Sequence, residues 1–236
     1  MTHLLPTRLQ ISPARHRYFA MAVLAACSIC RAAQPDILWK SDFSALSPGP
    51  IEGAGPSTVI AEEGTLRFLS KQDLATEVLF SEASKNATGL IDYRSQVRFR
   101  YQDNCRVFIV AKDRGLGRDA AEYLWYYVGI EKDGVGISCH HLKDREPFKG
   151  DPRVATSIKF KDVGFSNLNP DTWITVAVDV GDKVIKARIT QENGENGEWQ
   201  FPVFSGTGGS RLVAYSPIDV SEFFIEQLPH PVTASQ

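Results

Sequence analysis

Between residues 37 and 228 the apolar positions recur in short bursts, and no interval sustains the helical period of about 3.6 residues. Each burst is closed by Gly, Asp, Asn or Pro, the residues that end strands and open turns. The pattern predicts strands near 37–43, 57–61, 65–69, 75–80, 90–101, 106–112 and 123–131. Further strands are predicted near 135–142, 156–161, 173–180, 183–190, 199–203, 211–215 and 221–227. The clearest of them is 90–101, where Ile91, Tyr93, Ser95, Val97, Phe99 and Tyr101 alternate with Asp92, Arg94, Gln96, Arg98 and Arg100. A strand sends the two sets to opposite faces, one mostly apolar and one strongly polar. Asp133-Gly134 and Gly181-Asp182 sit between alternating segments and read as tight hairpin turns. The closing run, Val220 to Leu228, is placed to pair with the opening strand, Ile37 to Phe43. Many antiparallel strands at regular spacing predict an all-β sandwich or barrel, and no linker-like stretch divides it.

Composition narrows the function classes. The chain has 236 residues, of which 43% are hydrophobic and 23% charged, the balance of a globular protein rather than a disordered one. With 26 basic against 28 acidic residues it lacks the basic excess of a general nucleic-acid binder. No phosphate-binding loop, nucleotide fingerprint or Cys/His metal cluster occurs, so the sequence gives no metal ligand and no cofactor.

Residues 1–33 read as an export signal rather than part of the fold. Arg8, Arg15 and Arg17 precede an uncharged run of twelve residues, Phe19 to Cys30. That run is shorter than the roughly 20 apolar residues a membrane-spanning helix needs. Two processing readings compete. Cys30-Arg31-Ala32 resembles an ordinary signal-peptidase site, whereas Leu24-Ala25-Ala26-Cys27 resembles a bacterial lipobox, in which Cys27 would be acylated. Either predicts a periplasmic, outer-membrane-anchored or extracellular protein, touching a membrane only through a lipid anchor. Residues 34–236 then form one domain with 22 basic and 28 acidic residues, because the leader carries four Arg and no acid. Cys105 and Cys139 remain, both placed with predicted strands; they are read either as a disulfide of an oxidising compartment or as two buried thiols. Asn86-Ala87-Thr88 is a glycosylation sequon, meaningful only in a eukaryotic secretory pathway.

Three stretches carry a resemblance. They are the opening Trp39-Lys40-Ser41-Asp42-Phe43, the long strand ending in Arg98-Phe99-Arg100-Tyr101, and Asp171-Thr172-Trp173-Ile174-Thr175-Val176 ahead of the Gly-Asp turn. Together they resemble the concanavalin A-like lectin/glucanase superfamily, in particular LamG-like jelly rolls and secreted 3-keto-disaccharide hydrolase-type domains. The likeness spans roughly 37–228 as a rhythm of strands. Where relatives often carry Asn-Ser-Gly-Ile-like residues, this chain has Asp103-Asn104-Cys105-Arg106-Val107. The resemblance implies an all-β jelly-roll sandwich of two antiparallel sheets and glycan handling on the concave face. Structural calcium is implied by that likeness alone.

Candidate chemistry is sparse. A retaining glycosidase needs two carboxylates about 5–5.5 Å apart, and clan relatives supply them as E-x-D-x-x-E, which is absent here. Glu131 with Asp133, and the trio Glu192, Glu195 and Glu198, read as solvated turn and loop residues. For lyase chemistry, Arg94, Gln96, Arg98 and Arg100 could neutralise a uronate, with His140, His141 or Tyr127 as acid and base. Yet no Q-x-H triplet occurs, and adjacent His140 and His141 point to opposite faces of a strand. Tyr123, Trp125 and Tyr127 share one strand face and form a ladder suited to stacking on sugar rings. Period alone leaves open whether that face is outward or whether the ladder is core and Tyr126 is outward. The stretch His141 to Lys161 reads as an exposed charged excursion.

The leading expectation is an exported glycan-binding module using Arg94, Gln96, Arg98, Arg100, Tyr123, Trp125, Tyr127 and His141. If ladder and arginines shared a concave face, the groove would favour acidic glycans. The alternatives are a polysaccharide- or disaccharide-degrading enzyme on the same fold, and a cell-surface adhesion or structural protein.

Overall fold

The computed structural model describes residues 37–40, 43, 49–50, 58–62, 64–69, 76–78, 89–113, 122–131, 134–143, 146–147 and 155–234. The expected export signal with Cys27, the sequon at 86–88 and Asp133 of the expected Asp133-Gly134 turn lie outside them. The described residues form sixteen strands. The first five are β1 (Ile37–Lys40), β2 (Gly49–Pro50), β3 (Thr58–Glu62), β4 (Thr65–Leu69) and β5 (Thr76–Val78). Next come β6 (Tyr93–Tyr101), β7 (Val107–Asp113), β8 (Glu122–Glu131), β9 (Gly134–Lys143), β10 (Glu146–Pro147) and β11 (Ala155–Lys159). After a 3-10 helix over Phe160–Val163 follow β12 (Ile174–Val180), β13 (Val184–Gln191), β14 (Asn196–Pro202), β15 (Gly209–Ala214) and β16 (Ile218–Gln227).

These strands build two antiparallel sheets, an all-β jelly-roll sandwich as the strand rhythm predicts. The first runs β14-β13-β12-β6-β16-β4-β3-β2, with β1 also on β16; the second runs β10-β9-β8-β7-β15-β5, with β11 on β9. The closing strand meets the opening one through Ile37↔Glu226 and Lys40↔Phe224. The Gly181-Asp182 turn joins β12 to β13, with Gly181 N–H bonded to the Val184 carbonyl at 2.9 Å. Two short strands, β2 and β10, fall where the pattern gave none, and the predicted strand over 156–161 ends early in the 3-10 helix.

Alternation decides which residues meet between the sheets. On β6 the burial is strictly two-periodic, with Tyr93, Ser95, Val97, Phe99 and Tyr101 buried and the four polar residues half-exposed. β12 repeats this with Ile174, Val176, Val178 and Val180. The second sheet answers with Val107, Ile109, Leu124, Tyr126, Val128 and Ile137, all in the same buried cluster. Burying each such side chain contributes roughly 1.5–3 kcal/mol before the entropy of ordering it is counted. Two of the polar side chains inside are matched: the Tyr93 hydroxyl donates to the Gly209 carbonyl and accepts the Lys112 N–H, each at 3.0 Å, and Ser95 bonds Ser210 at 2.6 Å.

Candidate functional site

The arginine row stands on the outer face of the first sheet, and its guanidiniums are tied to carboxylates. Register places Asp179 and Glu226 on either side of Arg94. Arg94 donates to both Asp179 oxygens, at 2.6 and 2.9 Å, and to Glu226 at 3.3 Å. The Asp179 bonds, set against some desolvation, raise the Arg94 pKa. Arg100 and Arg67 share Asp219, donating from their Nε atoms at 2.9 and 2.8 Å to its two oxygens. Arg98 lies 3.7 Å from Glu192 and 4.7 Å over the Trp173 ring, with Arg100 5.1 Å from the same ring. Gln96 sits between Ala177 and Phe224 in the register. A shallow hollow of about 240 Å³ opens beside Arg94, Asp179, Lys186, Arg188 and Glu198. Opposite charges facing across strands are the ordinary way a sheet stabilises an exposed face. Within the row Arg94 and Arg100 are held in close ion pairs, while Arg98 keeps one long contact and lies over the Trp173 ring.

The aromatic ladder belongs to the other sheet. On β8, Leu124, Tyr126, Val128 and Ile130 are buried toward the first sheet, while Trp125 and Tyr127 are half-exposed on the outer face. The alternative with Tyr126 outward is thereby overturned: Tyr126 is buried, and its hydroxyl accepts the Phe204 N–H at 2.8 Å. Ladder and arginine row occupy opposite outer faces of the sandwich, because each strand points its apolar set at the core between them. The expected groove combining the two does not form. The side chains of Tyr123, His140 and His141 lie outside the described residues; their backbones lie on β8 and β9, where His141 is in register with Leu124.

Around Tyr127 the structure assembles aromatics that the strand pattern did not single out. Phe108 of β7 stands edge-on to Tyr127 at 5.9 Å and to Tyr215 at 5.8 Å, and Tyr127 and Tyr215 are 6.4 Å apart. The Arg106 guanidinium caps this group, 4.8 Å from the Tyr215 ring and 6.0 Å from Phe108. Val110 and Val213 are buried outside the inter-sheet cluster, and together with Phe108 they form the floor beneath the rings. An ion pair sits on the same face: Arg211 Nε lies 2.7 Å from Asp113 Oδ2, with side-chain exposures of 11% and 3%. Phe108 was hidden from the sequence reading because Val107, Ile109 and Val110 around it are also apolar, which erases the period.

The acids expected in loops have structural partners. Glu198 lies on β14 and binds Arg188 at 2.5 Å. Glu195 accepts the Ser166 N–H at 2.5 Å, and the Ser166 side chain, together with this N–H, holds its carboxyl below the usual range. Among the described residues no group of three or more His, Cys, Asp or Glu is placed to hold a metal ion. Cys105 and Cys139 are both buried with no disulfide between them, so the disulfide reading gives way to that of two buried thiols. Cys105 lies in the turn between β6 and β7 rather than in a strand, and burial pushes its thiol pKa up.

No family model matches the chain, and no curated protein matches it. Solved structures similar to it include the laminarinase from Rhodothermus marinus, at 11% identity and a TM-score of 0.46, over 84% of this chain and 99% of that one. The exoplasmic/lumenal domain of VIP36, in a form with Ca2+ and Man2 bound, is similar at 11% identity and a TM-score of 0.44, over 79% of this chain and 88% of that one. A protein of unknown function from Shewanella oneidensis MR-1 is similar at 10% identity and a TM-score of 0.44, over 97% of this chain and all of that one.

Proposed function

We propose that this is an exported glycan-binding protein whose ligand lies against the outer face of the second sheet, over Trp125, Tyr127 and Tyr215. The observation that carries the reading is the half-exposed row of rings on a face whose floor, Phe108, Val110 and Val213, is already buried. A pyranose offers one flat face of C–H groups, and aromatic rings held rigidly on a strand meet it at small cost in side-chain entropy. At the edge the half-exposed Arg106 guanidinium supplies N–H donors for sugar hydroxyl oxygens. Binding is favoured over two-carboxylate hydrolysis because, of the carboxylates described at this face, Asp113 is buried in a pair with Arg211 and Glu131 alone is accessible. Export follows from the basic segment and apolar run of residues 1–33.

The test is to incubate the purified protein with a panel of neutral and acidic polysaccharides, follow soluble products by mass spectrometry, and measure protein pulled down with each insoluble glycan. Co-sedimentation without new products is the expected result. Released oligosaccharides would make the protein an enzyme, and water added or unsaturated ends would tell hydrolysis from elimination. Neither products nor co-sedimentation would overturn the glycan reading.

A further inference from the structure

Arg106 shares its arrangement with Arg98, which lies over Trp173 and meets Glu192 in one contact of 3.7 Å on the opposite face, and differs from the remaining arginines described above. Arg94 makes three hydrogen bonds to two carboxylates, Arg67 and Arg100 share Asp219, and Arg211 is buried against Asp113. Arg106 instead lies over the rings of Tyr215 and Phe108. Its side chain is 53% exposed, and its ion pair is a single contact from Nη2 to Glu131 Oε1 at 3.6 Å, with Glu131 itself 43% exposed. A long contact between two exposed groups holds little energy. A guanidinium supported on aromatic faces keeps its planar fork of N–H donors, the geometry that matches a carboxylate with two parallel bonds. Its backbone is fixed as well: the Arg106 N–H donates to the Ser216 hydroxyl at 2.9 Å, and its carbonyl accepts the Tyr215 N–H at 2.8 Å. The cation is therefore held at the edge of the stacking surface, with donors not taken up by a strong partner.

We propose that Arg106 reads a carboxylate on the bound sugar, so that the aromatic face selects uronate-containing glycans over neutral ones. This inference rests on the glycan-binding reading and names its substrate class. The acidic preference that the sequence pointed to through Arg94, Arg98 and Arg100 is thereby moved to a residue on the opposite face of the sandwich. Glu131 acts as the resident counter-ion, which the ligand carboxylate displaces.

The test uses a glycan backbone that the binding panel selects, as a uronic-acid tetrasaccharide and as its carboxyl-reduced neutral counterpart. Both are titrated into the full chain at low ionic strength and followed by calorimetry. The wild-type protein should bind the acidic form about tenfold or more tightly, the gain expected of a charge-assisted pair. Arg106→Ala should bring the two affinities together, costing the acidic form about tenfold or more and the neutral form a few-fold at most, the worth of one uncharged hydrogen bond. Arg106→Lys should restore the preference only in part, and Glu131→Gln should increase it. Equal wild-type affinities, or a preference that survives Arg106→Ala, would overturn the role of Arg106 and leave the binding reading standing. A panel that selects no glycan would remove both.

Discussion

Arg94 and Asp179 face each other directly across β6 and β12 and join in a two-bond fork, Nε to Oδ1 at 2.6 Å and Nη2 to Oδ2 at 2.9 Å. Glu226 closes the arrangement from β16 at 3.3 Å. The pair links three strands on an outer sheet face, so its role is to hold β6 in register. Arg94→Ala should lower unfolding stability by about 1 kcal/mol, a half-exposed pair being screened by solvent yet strengthened by its fork geometry. Chemical denaturation measures the loss, and glycan affinity should not change. A fall in affinity at unchanged stability would place the ligand on the arginine face.

Asp219 gives the same face a pH dependence. Partial burial raises its carboxyl pKa, but the Arg67 and Arg100 bonds outweigh that and leave it below its ordinary value of 3.8. A group whose folded pKa is depressed binds its proton more readily when unfolded. Its stabilisation is therefore complete above the unfolded value and is lost as pH falls through the folded one. Wild-type stability should drop as the solution is acidified below about pH 4, and Asp219→Asn should flatten that limb of the curve while costing stability at neutral pH. Denaturant midpoints across an acid series report both effects, and an unchanged limb in the variant would show that other carboxylates govern it.

What the sequence made legible follows from where periodicity speaks. The alternation in 93–101 and 174–180 assigned the inner and outer faces, because polar and apolar residues strictly exchange there. It also placed Arg94, Gln96, Arg98 and Arg100 together. What it could not supply was the sign of the second sheet, since Tyr123 to Val128 is aromatic or aliphatic on both faces. Nor could it supply the ion-pair partners, which come from residues as distant in sequence as Asp179, Asp219 and Glu226. The Phe108–Tyr127–Tyr215 group is of the same kind, assembled from three strands or their ends by register alone. Lys112 is the extreme case: it is buried, with a backbone φ of 52°, and its ammonium donates to the carbonyls of Asp182 and Phe204. Nothing in the chain around it distinguishes that lysine from an exposed one.

Gly129 lies opposite Phe108 where β7 and β8 run side by side beneath the rings. A Cβ at this position would fall 2.1 Å from the Val107 carbonyl oxygen and 2.7 Å from the Phe108 Cα, both backbone atoms. The neighbouring strand cannot yield as a flexible side chain could, so the two strands would have to part. Gly129→Ala should therefore destabilise the protein by about 3 kcal/mol or more, the upper end of overpacking costs. Thermal unfolding tests this directly. A variant as stable as wild type would mean that β7 and β8 separate locally at little cost.

Trp125 and Tyr127 provide the sharpest separation of the two faces. If the ligand stacks on the second sheet, Trp125→Ala and Tyr127→Ala should each weaken glycan binding about tenfold, the equivalent of about 1.4 kcal/mol and near the upper worth of one aromatic contact. Tyr127→Phe keeps the ring and its edge contacts with Phe108 and Tyr215, so it should lose only what the hydroxyl contributes, a few-fold at most. Arg98→Ala, on the opposite face, should leave affinity as it is. Affinities measured by calorimetry, beside far-UV spectra that confirm the fold of each variant, decide the matter. Should Arg98→Ala weaken binding and Trp125→Ala leave it intact, the ligand belongs to the face where Arg98 and Arg100 pack on Trp173.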